Sequence, residues 1–469
     1  MKRREFLASG LGLLAGAALP GCDDHGASRM PKPPVAATGP DGQRRLPWQN
    51  WSGYQHCLPA QRVAPASLDE LAEVLRRSPG PVRPVGAGHS FTPLVPTEGT
   101  VVSLRNFEGL LAHDAAALSA TLGAGTKLGD LGEPLHAIGQ ALPNMPDIDE
   151  QSLAGAMATA THGTGAKLGA LHSRVTALKL MTPRGELLEC SPRRNREVFD
   201  AARVSLGSLG VITEFTLSNV PTHRLKRQVR LEALDALLDG GFDALAAAHH
   251  SFEMYFIPHC DQGVVITIDP TDEPVRPRGA DQDNNAVMDM KRLRDLLSWW
   301  PGARRWLMNQ STRDYQPEAA VDVWYRAFPS SRAVRFNEME YHLPRERLLP
   351  TLRQVRDTVE TKHPEIFFPV EVRVVKGDDG WLSPFHGHDT SGSIAVHHYH
   401  VEDPLPYFAD IEPLFRAAGG RPHWGKMNTL AAADFAALYP RWKDFLQVRA
   451  GLDPEGKMLN PYLRKVFGA

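Results

Sequence analysis

Residues 86–90 read Gly86-Ala87-Gly88-His89-Ser90, directly after Pro81 to Val85, a short run with the composition of a strand. Glycines at a strand end let backbone N–H groups approach a phosphate with no Cβ in the way. Phe91 stands where a G-x-G-x-x-G loop needs its third glycine, which excludes a Rossmann-type dinucleotide loop. No Gly-Lys-Ser/Thr follows, which excludes a P-loop. Taken alone, a tight turn accounts for these glycines as well as a phosphate cradle does.

Working outward, a second stretch has the same character. Gln151 to Gly165 reads QSLAGAMATATHGTG, again placing hydroxyls beside bare backbone. A third, Leu206 to Ile212 (LGSLGVI), leads into a strand from Thr213 to Leu217. Two or three such loops in one domain can wrap a long phosphorylated cofactor. Ahead of the first loop, Ser67-Leu68-Asp69-Glu70 forms a capping box that opens a helix with Leu68, Leu71, Val74 and Leu75 on one face. Strands are expected at Thr100 to Leu104, Leu118 to Leu122, Val175 to Met181 and Glu186 to Cys190, and a helix from Leu128 to Ile138. Alternating strands and helices argue an α/β or α+β domain.

Beyond residue 222 the pattern changes. An Ala/Leu-rich helix is expected over Leu231 to Ala248, a polar loop over Arg276 to Asn285, and a helical region from Val287 to Met308 containing Trp299, Trp300 and Trp306. Strand-like runs follow at Val334 to Tyr341, Phe367 to Val375 and Ser393 to Val401. Together they suggest a second domain, a sheet with covering helices.

The chain has 469 residues, 42% hydrophobic and 23% charged, a globular balance. Its formal net charge of −2 offers no basic field for nucleic acid. Four cysteines rule out a disulfide scaffold, and none has zinc-site spacing. The chain opens Met1-Lys2-Arg3-Arg4-Glu5-Phe6-Leu7, followed by an uncharged run to Gly21. That run is shorter than the roughly 20 residues of a spanning helix and reads as an export signal. Arg3-Arg4 resembles the twin-arginine type, which carries folded proteins. Leu19-Pro20-Gly21-Cys22 resembles a lipobox with Pro20 a poor match, so a lipid anchor at Cys22 and ordinary cleavage nearby both stand. Residues 23–46 read as a flexible linker.

GAGHS, then SLAGAMATATHGTG, then SLGSLGVITEFTL resemble the flavin domain of the vanillyl-alcohol oxidase family, in its aldonolactone oxidase and alditol oxidase branch. FNEMEYHLP (Phe336 to Pro344), EVR (Glu371 to Arg373), RPHWGK (Arg421 to Lys426) and the stretch from Tyr439 to Leu463 extend the likeness over residues 47–469. Ala160 departs from the glycine usual at its position. The resemblance implies a two-domain α+β fold: an FAD-binding domain over 47–221, a cap domain with a mixed or antiparallel sheet over 222–420, and a segment, 421–469, returning to the first. It places FAD along Gly86, Ala87, Gly88, His89, Ser90, Pro146, Asp147, Ser152, Gly155, Thr159, Thr161, His162, Gly163, Gly210, Val211 and Ile212.

The implied chemistry is hydride transfer from an alcohol carbon of a sugar-1,4-lactone to flavin N5, with oxygen as acceptor. Arg373 and Lys426 are the cations expected to stabilise charge on the flavin. Glu371 lies two residues from Arg373 and so on the same strand face. The three are expected to act on reduction rather than on folding. His397 and Tyr399 are expected to face substrate, and no metal site is expected at the His397 to His400 run. Relatives with GxGHS carry a histidyl bond to the flavin 8α carbon, which assigns that bond to His89. In relatives a proline at the position of Pro146 goes with oxygen reactivity. Alditol oxidases have serine where Asp147 stands, which favours a lactone over a polyol substrate. The alternatives are an alditol oxidase, a dehydrogenase passing electrons to a quinone or cytochrome, and an exported sugar-binding lipoprotein without flavin.

Overall fold

The computed structural model describes residues 30–279, 283–330 and 332–469. The readings on Arg3-Arg4 and Cys22 lie outside the described residues. Residues 30–46 are largely exposed and carry one two-residue ladder, Ala37–Thr38 with Arg44–Arg45.

Two larger sheets build the N-terminal domain, beside two-stranded ladders of Trp48–Gln49 with His56–Cys57 and Gln140–Ala141 with Val220–Pro221. A parallel sheet pairs β1 (Gln61–Val63) and β2 (Val82–Val85) on either side of β3 (Thr100–Ser103). An antiparallel sheet comprises β4 (Leu110–Asp114), β5 (Ser119–Gly123), β6 (Val175–Met181), β7 (Leu187–Cys190) and β8 (Val211–Ser218), in the order β7-β6-β8-β5-β4. Helices α1 (Leu68–Arg77), α2 (Leu128–Ala137) and α3 (Leu153–Ala158) cover them. Ser67 Oγ accepts from Glu70 N at 3.2 Å, but Glu70 Oε2 accepts from Ala66 N at 2.8 Å, so the expected box closes one residue early.

The C-terminal domain is one eight-stranded antiparallel sheet. Its strands are β9 (Arg224–Ala233), β10 (Ser251–Phe256), β11 (Gln262–Thr271), β12 (Glu318–Val323), β13 (Phe336–Pro344), β14 (Val370–Lys376), β15 (Thr390–Tyr399) and β16 (Arg421–Pro422). Their order is β12-β9-β11-β10-β14-β15-β13-β16. Helices α4 (Asp283–Leu297), α5 (Pro301–Thr312), α6 (Leu348–Lys362) and α7 (Leu405–Ala417) accompany it. This is the expected two-domain α+β architecture.

Three local expectations change. The helix expected from Leu231 begins at Leu234, because all ten residues of β9 pair with β11 and the ladder overrides local helix propensity. It then breaks at Asp239–Gly240, where Gly240 has φ 121°. The loop expected over Arg276 to Asn285 is shorter, since Arg276 pairs with Val321 and α4 starts at Asp283. The helical region from Val287 becomes two helices, with Pro301 opening the second at a position where its missing N–H costs nothing.

The chain then folds back. Arg421 and Pro422 extend the cap sheet, and the segment after them packs on the first domain through α8 (Ala432–Leu438), α9 (Trp442–Leu452) and α10 (Pro461–Phe467). Val82 N donates to Lys457 O at 2.8 Å. The buried Arg83 guanidinium donates to the carbonyls of Leu94, Leu206, Gly207 and Met458, fixing β2, the third glycine loop and the C-terminal segment together. Among the described residues no carboxylate pairs with it, and burial pulls its pKa down to about 9.

Candidate active site

The loop after β2 is clamped from three directions. Trp51 N donates to Gly88 O at 2.8 Å, Asn50 Nδ2 to Ser90 O at 2.9 Å, and Phe91 N to Gly425 O at 2.6 Å. Gly88 has φ 72°, a left-handed conformation that glycine adopts without strain. Gly86 is required by space: a Cβ there would lie 1.8 Å from Ser152 Oγ. The first and second glycine loops therefore meet backbone to side chain. Ser152 Oγ is buried and has no hydrogen-bond partner among the described residues. His89 stacks on Trp51 with ring centroids 5.5 Å apart. Burial pushes its imidazole down to about 4, with Lys426 adding to the shift, so the ring is neutral at neutral pH.

The second loop is buried from Thr159 to Gly165. Thr161 Oγ1 donates to Gln151 Oε1 at 2.9 Å and Thr159 Oγ1 to Gly155 O at 3.0 Å. Ala160 takes φ 60°, which explains why glycine is usual there: the methyl is held in left-handed backbone at a cost of about 1 kcal/mol. Gly165 N donates to Val374 O at 2.7 Å, tying the loop to the cap sheet. Pro146 is buried beside it, and Asp147 O accepts from Ser330 N at 3.0 Å across the domains. Gly210, Val211 and Ile212 lie apart from the charged cluster described next: Val211 and Ile212 pair with Met181 and Leu180 inside the five-stranded sheet.

One face of the cap sheet carries charge across four neighbouring strands. Register aligns Glu253 (β10) with Arg373 (β14) and Tyr255 with Glu371. Glu338 (β13) aligns with His397 (β15). Arg373 Nη2 donates to Glu340 Oε1 at 3.0 Å, and Arg373 Nε lies 3.3 Å from Glu371 Oε1. Glu340 Oε1 also accepts from Ser393 Oγ at 2.6 Å and faces His162 Nε2 at 3.1 Å. Tyr255 Oη donates to Glu371 at 3.1 Å. Lys426 Nζ pairs with Glu338 Oε2. From the other domain, Asp147 pairs with Arg332 at 2.5 Å and lies 3.9 Å from Arg373.

These carboxyls are not equivalent. Burial raises Glu371 well above the usual carboxylate range; Arg373 opposes the shift, and the negative charge of Asp147 and Glu253 reinforces it. Burial also raises Glu253, to about 7. Glu340 and Asp147 feel burial too, but Arg373 and His162 in one case, and Arg332 and Arg373 in the other, outweigh it and hold both ionised. The site thus sets carboxyls pushed toward the protonated form beside others that are held ionised and keep cations in place. Burial lowers His397, and its Nδ1 lies 3.1 Å from Pro369 O. Donation from Nδ1 leaves Nε2 as an acceptor, 3.7 Å from Glu338. Tyr399 lies farther out, under Lys291 and against Phe367.

Sequence reading singled out Glu371, Arg373, Lys426, His397 and Tyr399 and passed over Glu253, Tyr255, Glu338, Glu340 and Arg332. The signal for four of them was present. Glu338, Glu340 and His342 occupy alternate positions of a strand whose other face is Met339, Tyr341 and Leu343. Glu253 and Tyr255 alternate with Phe252, Met254 and Phe256. Polar residues at period two in a fully covered strand mark a built site. Arg332 carried no such pattern. His162, Glu340 and His342 stand close enough to share a metal ion, but Glu340 Oε1 is already engaged by Arg373, Ser393 and His162, and a dication there would face the Arg373 charge.

Residues 59–191 match the FAD binding domain family, and the cradle is consistent with that ligand: Gly86 has no room for a Cβ, and Ser152 has a buried hydroxyl with no partner among the described residues. The fold is that of cholesterol oxidase from Brevibacterium sterolicum, with TM-score 0.76 at 16% identity, covering 93% of this chain and 99% of that one. Fold and sequence thus define an FAD-dependent oxidoreductase. Residues 215–466 match the D-arabinono-1,4-lactone oxidase family, and the chain belongs to it. Over 432 residues it is 36% identical to the L-gulono-1,4-lactone dehydrogenase of Mycobacterium tuberculosis, covering 90% of this chain and 99% of the relative. It is 32% identical to the L-gulonolactone oxidase of Scyliorhinus torazame, covering 90% and 98%. It is also 32% identical to a Streptomyces alditol oxidase, covering 89% and 98%.

Proposed function

We propose that the chain oxidises an alcohol carbon of a sugar-1,4-lactone and passes the electrons to oxygen. The observation that carries this reading is the paired carboxyl set on the cap sheet: Glu371, bonded to Tyr255 and pushed by burial toward its protonated form, beside an Arg373 that pairs with Glu340. A neutral acid and a guanidinium side by side can grip vicinal hydroxyls and a lactone oxygen without a net buried charge. When bound, FAD supplies the acceptor for the hydride leaving the alcohol carbon. Arg373 and Lys426 provide positive charge, and Glu340 and Glu338 hold those cations in place. His397 Nε2 takes the hydroxyl proton, since the ring is neutral and its Nδ1 is turned to Pro369.

The same reading assigns a covalent bond between His89 and the flavin 8α carbon. The neutral imidazole and its stacking on Trp51 support it. The methyl C–H and imidazole N–H hydrogens leave as two protons and two electrons, and oxygen removes the electrons. We also read residues 1–22 as a twin-arginine-type signal; membrane retention that Cys22→Ala abolishes supports a lipid anchor at Cys22, and retention that survives the change excludes it. Replacing Arg3 and Arg4 by lysine then leaves active protein in the cytoplasm, and an unchanged export pattern rejects the signal. No described helix is long and apolar enough to cross a membrane.

Anaerobic mixing with aldonolactones and with alditols tests the substrate class. Rapid flavin bleaching by a 1,4-lactone supports the proposal, and bleaching by polyols alone replaces the lactone. Mixing reduced enzyme with air-saturated buffer tests the acceptor. Reoxidation slower than turnover with a dye makes it a dehydrogenase, as its mycobacterial relative is named.

A further inference from the structure

Among the described residues, three tryptophans are exposed: Trp299 at 70%, Trp300 at 56% and Trp306 at 61%. They cluster at the tip and outer side of the hairpin joining α4 to α5. Burial could have been reached nearby, since Leu297 and Met308 on the same helices face inward. The rings of Trp299 and Trp300 lie 5.7 Å apart, and Pro301 and Gly302 complete an exposed tip. Nothing in the site described above uses these side chains.

The character of the tip points to one occupant. An indole is an apolar body with a polar N–H, the combination that settles at the headgroup level of a bilayer. Arg294 and Arg304 are buried, and Lys291, Arg292 and Arg305 are each paired with a carboxylate, while the tip from Leu296 to Ala303 carries no charged side chain to hold it off a headgroup layer. Position agrees. Val287 and Met290 of α4 pack against the Phe91, Phe336, Phe367 and Phe368 cluster, as Trp51 does, so α4 starts near the part of the fold that follows residues 30–46. Trp299 lies nine residues beyond Met290, roughly 13 Å along the helix. The apolar run from Leu7 to Gly21 precedes that same part of the chain.

We propose that the α4–α5 hairpin is a docking element that seats Trp299, Trp300 and Trp306 in the headgroup layer of a phospholipid bilayer.

The test uses the full-length flavin-loaded protein and vesicles of phosphatidylglycerol and phosphatidylethanolamine, with and without brominated acyl chains. Wild type is compared with the Trp299→Ser/Trp300→Ser/Trp306→Ser triple variant. Both carry identical residues 1–46, so any N-terminal contribution is common to the pair. Of the other six tryptophans, five are buried and Trp51 is half-buried, so quenching by bromine reports the hairpin. The expected result is quenching in wild type that is lost in the variant, with vesicle affinity falling roughly tenfold or more and flavin content and turnover in solution unchanged. Unquenched wild-type emission, or equal quenching in the two proteins, overturns the proposal. A wild-type oligomer that the triple variant dissociates, without quenching by lipid, also overturns it and assigns the face to a second copy of the chain.

Discussion

Arg373 Nη2 reaches Glu340 Oε1 at 3.0 Å across the intervening strand β15, whose Ser393 donates to the same oxygen. Arg373 is also bracketed by Glu371 and Asp147 and is buried. This corrects the expectation that Arg373 bears on reduction and not on folding. Arg373→Ala is expected to slow flavin reduction about 10²-fold and to destabilise the fold by about 3–5 kcal/mol, because it strands buried carboxylates. Arg373→Lys keeps the charge but loses the fork, so it should fold and still reduce slowly. Stopped-flow reduction and thermal melting separate the two effects, and wild-type reduction in the lysine variant would remove the fork from the mechanism.

The contact between Gly86 and Ser152 gives a rescue experiment. Gly86→Ala places a methyl against Ser152 Oγ at 1.8 Å and Cβ at 2.9 Å. It should cost about 1–3 kcal/mol of stability and weaken flavin retention. Adding Ser152→Gly removes both obstructing atoms and should recover much of the stability. A double variant no better than the sum of the singles would show the loops do not meet here.

Ala160→Gly should stabilise the protein by about 0.5–1 kcal/mol, because the left-handed φ of 60° is relieved at the loss of one small buried methyl. Denaturant unfolding of the holoenzyme measures it. A destabilised variant would mean the methyl packs better than the backbone strain costs.

Acid-precipitated wild-type protein should stay yellow and its denaturing-gel band should fluoresce, while His89→Ala should release its flavin. Because burial holds the His89 pKa near 4, attachment should be independent of pH above about 5. Flavin recovered in the wild-type supernatant would rule out the bond.

Glu253 supplies a pH signature. Its folded value, about 7, lies above the ordinary 4.5, so folding favours the protonated form. That contribution is complete below about 4.5 and is lost as pH rises through about 7. Glu253→Gln mimics the neutral acid and should flatten the fall in stability between about pH 5 and pH 8. Parallel stability curves for the two proteins over that range would exclude the raised value.

Much of this was legible in the residues alone. Gly86, Gly88 and the QSLAGAMATATHGTG stretch announced a phosphate cradle because close backbone approach demands small residues in order along the chain. The period-two placement of Glu371 and Arg373 put both on one strand face before any sheet was known. Local signals misled where pairing partners were distant: Leu231 joined a strand rather than a helix because β11 lay beside it. Charge states were beyond the sequence altogether. Whether Glu371 is neutral and Glu340 ionised depends on which cations lie within a few ångströms in a dry interior, and strands β10, β14, β15 and β13 bring those groups together from positions 253 to 397. Composition and order along the chain determined the cofactor cradle and the family; only the folded sheet, by excluding water and fixing register, decided which acids keep their protons.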